Sequence, residues 1–185
     1  MALTKTPVCD YGKKAEDFKL KSIYNKVITL DDIKGEKATL IMFICNHCPY
    51  VKAIIKDLAK DCNELRNDGI NSIAIMSNDT KNYPEDSFEN MIKFADNNNF
   101  GEINYLFDET QEIAKKYGAV CTPDFFGYNK NLSLQYRGRF RELKDLKPIN
   151  NGESDLKVAM KMVAKTQKGP NEQIPSMGCN IKWKN

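Results

Sequence analysis

The run "ATLIMFI" (38–44), which holds most of the chain's longest apolar run, Leu40 to Cys45, has strand length and suits a sheet covered on both faces. Immediately after it the period changes. From Pro49 onward Val51, Ile54, Ile55, Leu58, Ala59, Cys62 and Leu65 share one helical face, and Gly69 lies just beyond. "INSIAIMS" (70–77) predicts a second buried strand and "INYLFD" (103–108) a third. Between them, Asp86 and Glu89 form a capping-box pattern around the helical stripe Phe88, Met91, Ile92 and Ala95. "ETQEIAKKYG" reads as a short helix closed by Gly118. Two hairpins flank this series: "DFKLKSIYNKVITLDDIKG" (17–35), turning at Asn25-Lys26, and "DFFGYNKNLSLQYRG" (124–138), turning at Asn129 to Asn131. Leu156, Ala159, Met160 and Val163 mark a last helix. From Gln167 onward Gly169, Pro170, Pro175 and Gly178 predict an irregular tail.

The order is hairpin, β-α-β-α-β-α, hairpin, α. Strands alternating with helices require parallel pairing, while the late hairpin must be antiparallel. The fold class is therefore α/β, a mixed sheet flanked by helices with an N-terminal hairpin extension. A length of 185 residues fits one domain (1–185), with a core over about 5–166 and the tail over 167–185. A net charge of +3 with scattered lysines leaves no electrostatic footprint for nucleic acid. No apolar run approaches bilayer length, and the start "MALTKTPVCDYGKK" lacks a signal-peptide apolar region. The expectation is a cytoplasmic protein with no membrane partner. In a reducing compartment the six cysteines are more readily reactive, metal-bound or buried than locked in permanent disulfides.

Two of them stand in "ICNHCPYVK" (44–52), where the only histidine, His47, and Asn46 separate Cys45 from Cys48. The pair falls where a strand ends and a helix begins, so unpaired N–H groups and the positive end of the helix dipole converge there. They favour thiolate at Cys45, making it the more exposed, more acidic nucleophile. Cys48, one turn in, is placed to resolve a mixed disulfide. Pro49 suits the first turn, where its missing N–H has no partner to lose. His47 beside a thiolate stabilises it and makes the disulfide a better oxidant.

The hairpin, the strand ending in "CNHC", the helix and the later "TP" (122–123) resemble the thioredoxin fold. The N-terminal hairpin resembles its peroxiredoxin-like branch, the alkyl hydroperoxide reductase and thiol-specific antioxidant proteins. "CNHCPYVK", "YRGR" (136–139) and "PSMGCNIKW" (175–183) are similar to an uncharacterised bacterial subgroup of that branch. The resemblance implies a three-layer thioredoxin-like domain and a thiol–disulfide oxidoreductase without a cofactor. It makes Cys45 the attacking thiol, Cys48 the resolving one, Pro123 a cis proline and Thr122 the backbone partner of a substrate strand. Its partners would be protein or small-molecule disulfides and a thiol electron donor. Two departures stand out: Ile44 replaces the usual Trp before the first Cys, and about Thr39 replaces the usual buried Asp, so no carboxylate is assigned to Cys48.

A peroxidase of the Pro-x-x-x-Thr-x-x-Cys type is the main alternative. With Cys48 as the reactive residue its Pro and Thr positions hold Ile41 and Cys45; with Cys45 they hold Ala38 and Met42. A metal module is the third reading, weakened because adjacent His47 and Cys48 cannot easily bind one tetrahedral ion. Cys62 falls on an apolar helix face and reads as inert. Cys121 precedes Pro123 by two residues. A relay from Cys45–Cys48 to a Cys121–Cys179 pair requires the tail to fold back over the TP loop, with Trp183 as its apolar anchor. Arg137 and Arg139 read as a solvated turn.

Overall fold

The computed structural model describes residues 3–184. Its main sheet contains β2 (Lys19–Ser22), β3 (Val27–Thr29), β4 (Ala38–Phe43), β5 (Ile70–Met76), β6 (Asn104–Phe107), β8 (Asp124–Asn129) and β9 (Leu134–Tyr136). Their order is β3-β2-β6-β5-β4-β8-β9. The central β6-β5-β4 pairings are parallel, and the outer strands run antiparallel to their neighbours. This is the mixed sheet that the alternation of periods predicts.

Helices cover both faces. On β4, Leu40 and Met42 join the core formed with α2 (Pro49–Leu65), α3 (Phe88–Asn97) and α5 (Asp155–Thr166). Ile41 and Phe43 join the opposite core, with Tyr117 of α4 (Glu112–Tyr117). A strand buried on both faces needs a continuous apolar run, as β4 has. None of the described helices is long and apolar enough to cross a membrane.

Several expectations need correction. The chain after Thr29 forms a short helix, α1 (Leu30–Ile33), because Thr29 and Asp32 complete a capping box. The N-cap of α3 is Ser87, whose side chain accepts from the Asn90 N–H, and not Asp86. Arg137 is no solvated turn residue: it is buried against Asp124, with Nη2 3.0 Å from Oδ2, and lies over the Phe126 ring. Arg139 bonds Asp155 across the surface. A small hairpin, β10 (Leu143–Lys144) and β11 (Lys147–Pro148), precedes α5.

The largest correction concerns the tail. β12 (Met177–Asn180) lies between β1 (Leu3–Lys5) and β7 (Cys121–Thr122) in a second, three-stranded sheet. The fold-back over the TP loop does occur. Its anchor is Ile181, which is buried, and not Trp183, which is 40% exposed.

Candidate active site

The site is assembled from four places in the chain. The loop after β4 carries Cys45 to Cys48, and Cys48 is the N-cap of α2, with Pro49 in the first turn. The loop after β5 returns Asp86 beneath it. The TP segment brings Thr122 and Pro123, joined by a cis peptide bond. β12 brings Cys179, whose Cα is paired opposite Thr122.

Both active-site sulfurs are reduced and buried, at 1% exposure for Cys45 and 0% for Cys48. The expected difference in exposure is therefore absent. Cys45 Sγ lies 3.3 Å from the Thr122 hydroxyl. Cys48 Sγ lies 3.2 Å from the Thr122 carbonyl oxygen and 3.2 Å from Cys179 Sγ. The carbonyl favours a protonated Cys48. The neighbouring Cys45 and Cys179 thiols and the backbone N–H groups of Val51 and Cys179 favour charge on Cys48, and together they hold it well below the usual thiol range, despite burial.

Cys45 moves the other way. Its neighbour Cys48, burial and the Asp86 carboxylate all oppose a charge on it. The two sulfurs thus titrate as a pair: the first proton leaves easily and the second with difficulty. Of the two, Cys48 is the one pulled down and Cys45 the one pushed up, where Cys45 is expected to be the more acidic. The reason is local. The helix starts one residue after Cys48, so its first-turn N–H groups serve Cys48 better than Cys45.

His47 is oriented by a carboxylate that the sequence reading missed. Its Nδ1 is 2.7 Å from Asp86 Oδ2, and its ring stacks on Tyr83 at 5.6 Å with 9° between planes. Asp86 Oδ1 also accepts the backbone N–H groups of Asn46 and His47, and Oδ2 accepts from the Asn78 amide. The Asp86 bond raises the His47 pKa above the ordinary imidazole value, against its partial burial. Position 86 thus brings a carboxylate to the loop that carries the pair. Thr39 instead accepts the Gly35 N–H in the core.

Asn46 does not face a substrate. It is buried, accepting from the Tyr105 hydroxyl and donating to the Glu85 carbonyl, and so holds the loop's shape. Thr122 does not have a free edge either, because β12 already pairs with it. Cys121 points away from this cluster, its Sγ donating to the Pro123 carbonyl, and burial pushes its pKa up. Cys179 meets Cys48 and not Cys121. Cys62 is buried with its thiol pushed up to about 12, an inert core residue.

Cys45, His47 and Asp86 offer ligand atoms within 4.8 Å of one another. Two donors on one tetrahedral zinc stand roughly 3.3 Å apart, given bonds of about 2.0 Å. The imidazole and carboxylate approach to 2.7 Å and are hydrogen-bonded to each other, closer than two ligands of one such ion stand.

Comparison with known proteins agrees with this architecture. The family model described as AhpC/TSA family matches residues 11–140. No curated protein matches the chain. An uncharacterised conserved protein from Geobacillus kaustophilus is 40% identical, covering 100% of this chain and 97% of its own, with a TM-score of 0.89. A hypothetical protein from Sinorhizobium meliloti 1021 is 36% identical over 98% of both chains, with a TM-score of 0.90. The thioredoxin domain of a thiol-disulfide oxidoreductase from Bacteroides vulgatus shares the fold at 16% identity, covering 70% of this chain and 89% of its own, with a TM-score of 0.59. The chain has a thioredoxin-like fold and belongs to the AhpC/TSA family.

Proposed function

We propose that the protein is a thiol–disulfide oxidoreductase whose working couple is Cys45–Cys48. The observation that carries this reading is the placement of the pair: Cys45 and Cys48 lie where β4 gives way to α2, against the cis Thr122–Pro123 bond, with Cys48 held well below the usual thiol range. A thiolate stabilised in this way is a ready nucleophile near neutral pH.

In the reductive direction, Cys48 thiolate attacks one sulfur of a substrate disulfide. A mixed disulfide forms, and the first substrate sulfur leaves as a thiolate that takes a proton from solvent. Cys45 then loses its proton and attacks Cys48 Sγ, expelling the second substrate thiol. The substrate gains two electrons and two protons, and Cys45–Cys48 becomes a disulfide. His47, held by Asp86 with its ring within 4.8 Å of Cys45 Sγ, compensates thiolate as it moves between the sulfurs. The substrates are protein or small-molecule disulfides, and a cellular thiol returns the electrons.

Family membership supports a second reading, in which the same thiolate reduces a peroxide. Ile41, at the position where a peroxidatic Pro would stand for Cys48, is buried in the opposite core and cannot line such a pocket. The experiment compares both. Turnover of a protein disulfide with dithiothreitol as donor is expected for the wild type, with Cys48→Ser inactive and Cys45→Ser trapped as a mixed disulfide at Cys48. Equal turnover by Cys48→Ser refutes the reading, and efficient consumption of hydrogen peroxide without disulfide turnover favours the second.

A further inference from the structure

The tail brings a third sulfur to the pair. Cys179 Sγ, at 3.2 Å from Cys48 Sγ, is within about 1.2 Å of disulfide bonding distance. The contact is built into the backbone. Cys179 is in register opposite Thr122. Gly178 packs so closely there that a Cβ on it would stand 2.0 Å from the Thr122 carbonyl oxygen. Before the strand, the Ser176 hydroxyl donates to the Pro123 carbonyl at 2.8 Å. After it, the Lys182 N–H donates to Asn78 Oδ1 at 2.9 Å. The strand is thus fastened at both ends, with its cysteine at the redox pair. Backbone pairing against a residue such as Thr122 is also how an extended peptide adds to a free strand edge. β12 holds the position of such a peptide and presents a cysteine, as a disulfide substrate would.

We propose that Cys179 is a third redox thiol, forming with Cys48 a disulfide that interchanges with Cys45–Cys48. The proposal rests on the thiol–disulfide reading of that couple. Starting from the Cys45–Cys48 disulfide, Cys179 thiolate attacks Cys48 Sγ. The Cys48–Cys179 bond forms, the Cys45–Cys48 bond breaks, and Cys45 leaves with the electron pair. The proton lost by Cys179 is matched by one taken up at Cys45, so no electron enters or leaves. The oxidising equivalent has then moved from the loop to the tail strand. An external monothiol attacking Cys179 would release Cys48 as thiolate. A second external thiol resolves that mixed disulfide, leaving Cys179 reduced and the external thiols oxidised.

The test is disulfide mapping. Cys45→Ser is oxidised with diamide at low protein concentration, alkylated and digested. The expected result is a loss of two thiols per chain and a link between the peptides bearing Cys48 and Cys179, both abolished by adding Cys179→Ser. Cys45→Ala serves if the serine variant fails to fold. In the wild type, quenched during oxidation, the Cys48–Cys179 link is expected beside Cys45–Cys48. A Cys45 variant that leaves Cys48 free, or joins it to another chain, overturns the proposal. So does a wild type that closes Cys45–Cys48 but never Cys48–Cys179, and this outcome leaves the proposed function standing. A wild type that closes neither overturns both.

Discussion

Four donors converge on the carboxylate of Asp86: the N–H groups of Asn46 and His47, the Asn78 amide and the His47 ring. Removing a buried acceptor of this kind leaves the donors without a partner, so Asp86→Ala is expected to destabilise the protein by about 3–5 kcal/mol in urea unfolding. His47 carries a signature in pH. Its folded pKa is raised, so its contribution to stability is fully present below the unfolded value of about 6.5 and is lost as pH rises through the folded value. The stability difference between wild type and His47→Gln should shrink over that window; a difference that grows with pH contradicts the pairing. His47→Gln should also make the couple more reducing, by about 30 mV for each 1.4 kcal/mol of thiolate stabilisation lost. An unchanged or raised potential, measured against glutathione, would leave His47 without a tuning role. Cys45, His47 and Cys48 were legible because their chemistry lies in one short stretch. Asp86 was not, because it stands beside Ser87, and both residue types cap helices. Only one can occupy the cap. The Ser87 hydroxyl does so, which leaves the carboxylate free to turn inward.

At the scale of the element, β12 is expected to control access to the sulfurs, since it pairs with Thr122 and brings Cys179 onto Cys48. Its sequence, "MGCN", has no apolar alternation and lies among glycines and prolines, so periodicity has nothing to detect. Its stability is tertiary: β1 on one edge, β7 on the other, and a glycine that lets the backbone close on Thr122. Gly178→Ala should therefore push the strand off Thr122 at a cost of about 1–3 kcal/mol. Alkylation of Cys48 in the reduced protein should accelerate about tenfold for each 1.4 kcal/mol by which closure is weakened. Alkylation at the wild-type rate would mean that the strand does not gate the site. The central strands, by contrast, were legible in full, because β4 and β5 are buried on both faces and must be apolar throughout.

For the whole molecule, the alternation of strand and helix periods was enough to establish the mixed sheet and where the Cys-x-x-Cys lies in it. What escaped was the convergence of segments far apart in sequence on the end of β4. Asp86 arrives from the loop after β5 and Cys179 from the tail, and no local pattern encodes either approach. Arg137 and Asp124 show the same limit in the core: each looks exposed by type, and together they form a buried pair. The account as a whole stands on Cys45 and Cys48 being a two-electron couple. The most direct measurement is equilibration of the wild type in dithiothreitol redox buffers, with quenched thiols counted and mapped. The account predicts one two-electron transition in which Cys48 vanishes from the alkylated peptides together with Cys45, or with Cys179 where the proposed interchange has taken place, and returns on reduction. A thiol count that stays constant across the buffers, or a loss confined to other cysteines, would contradict it.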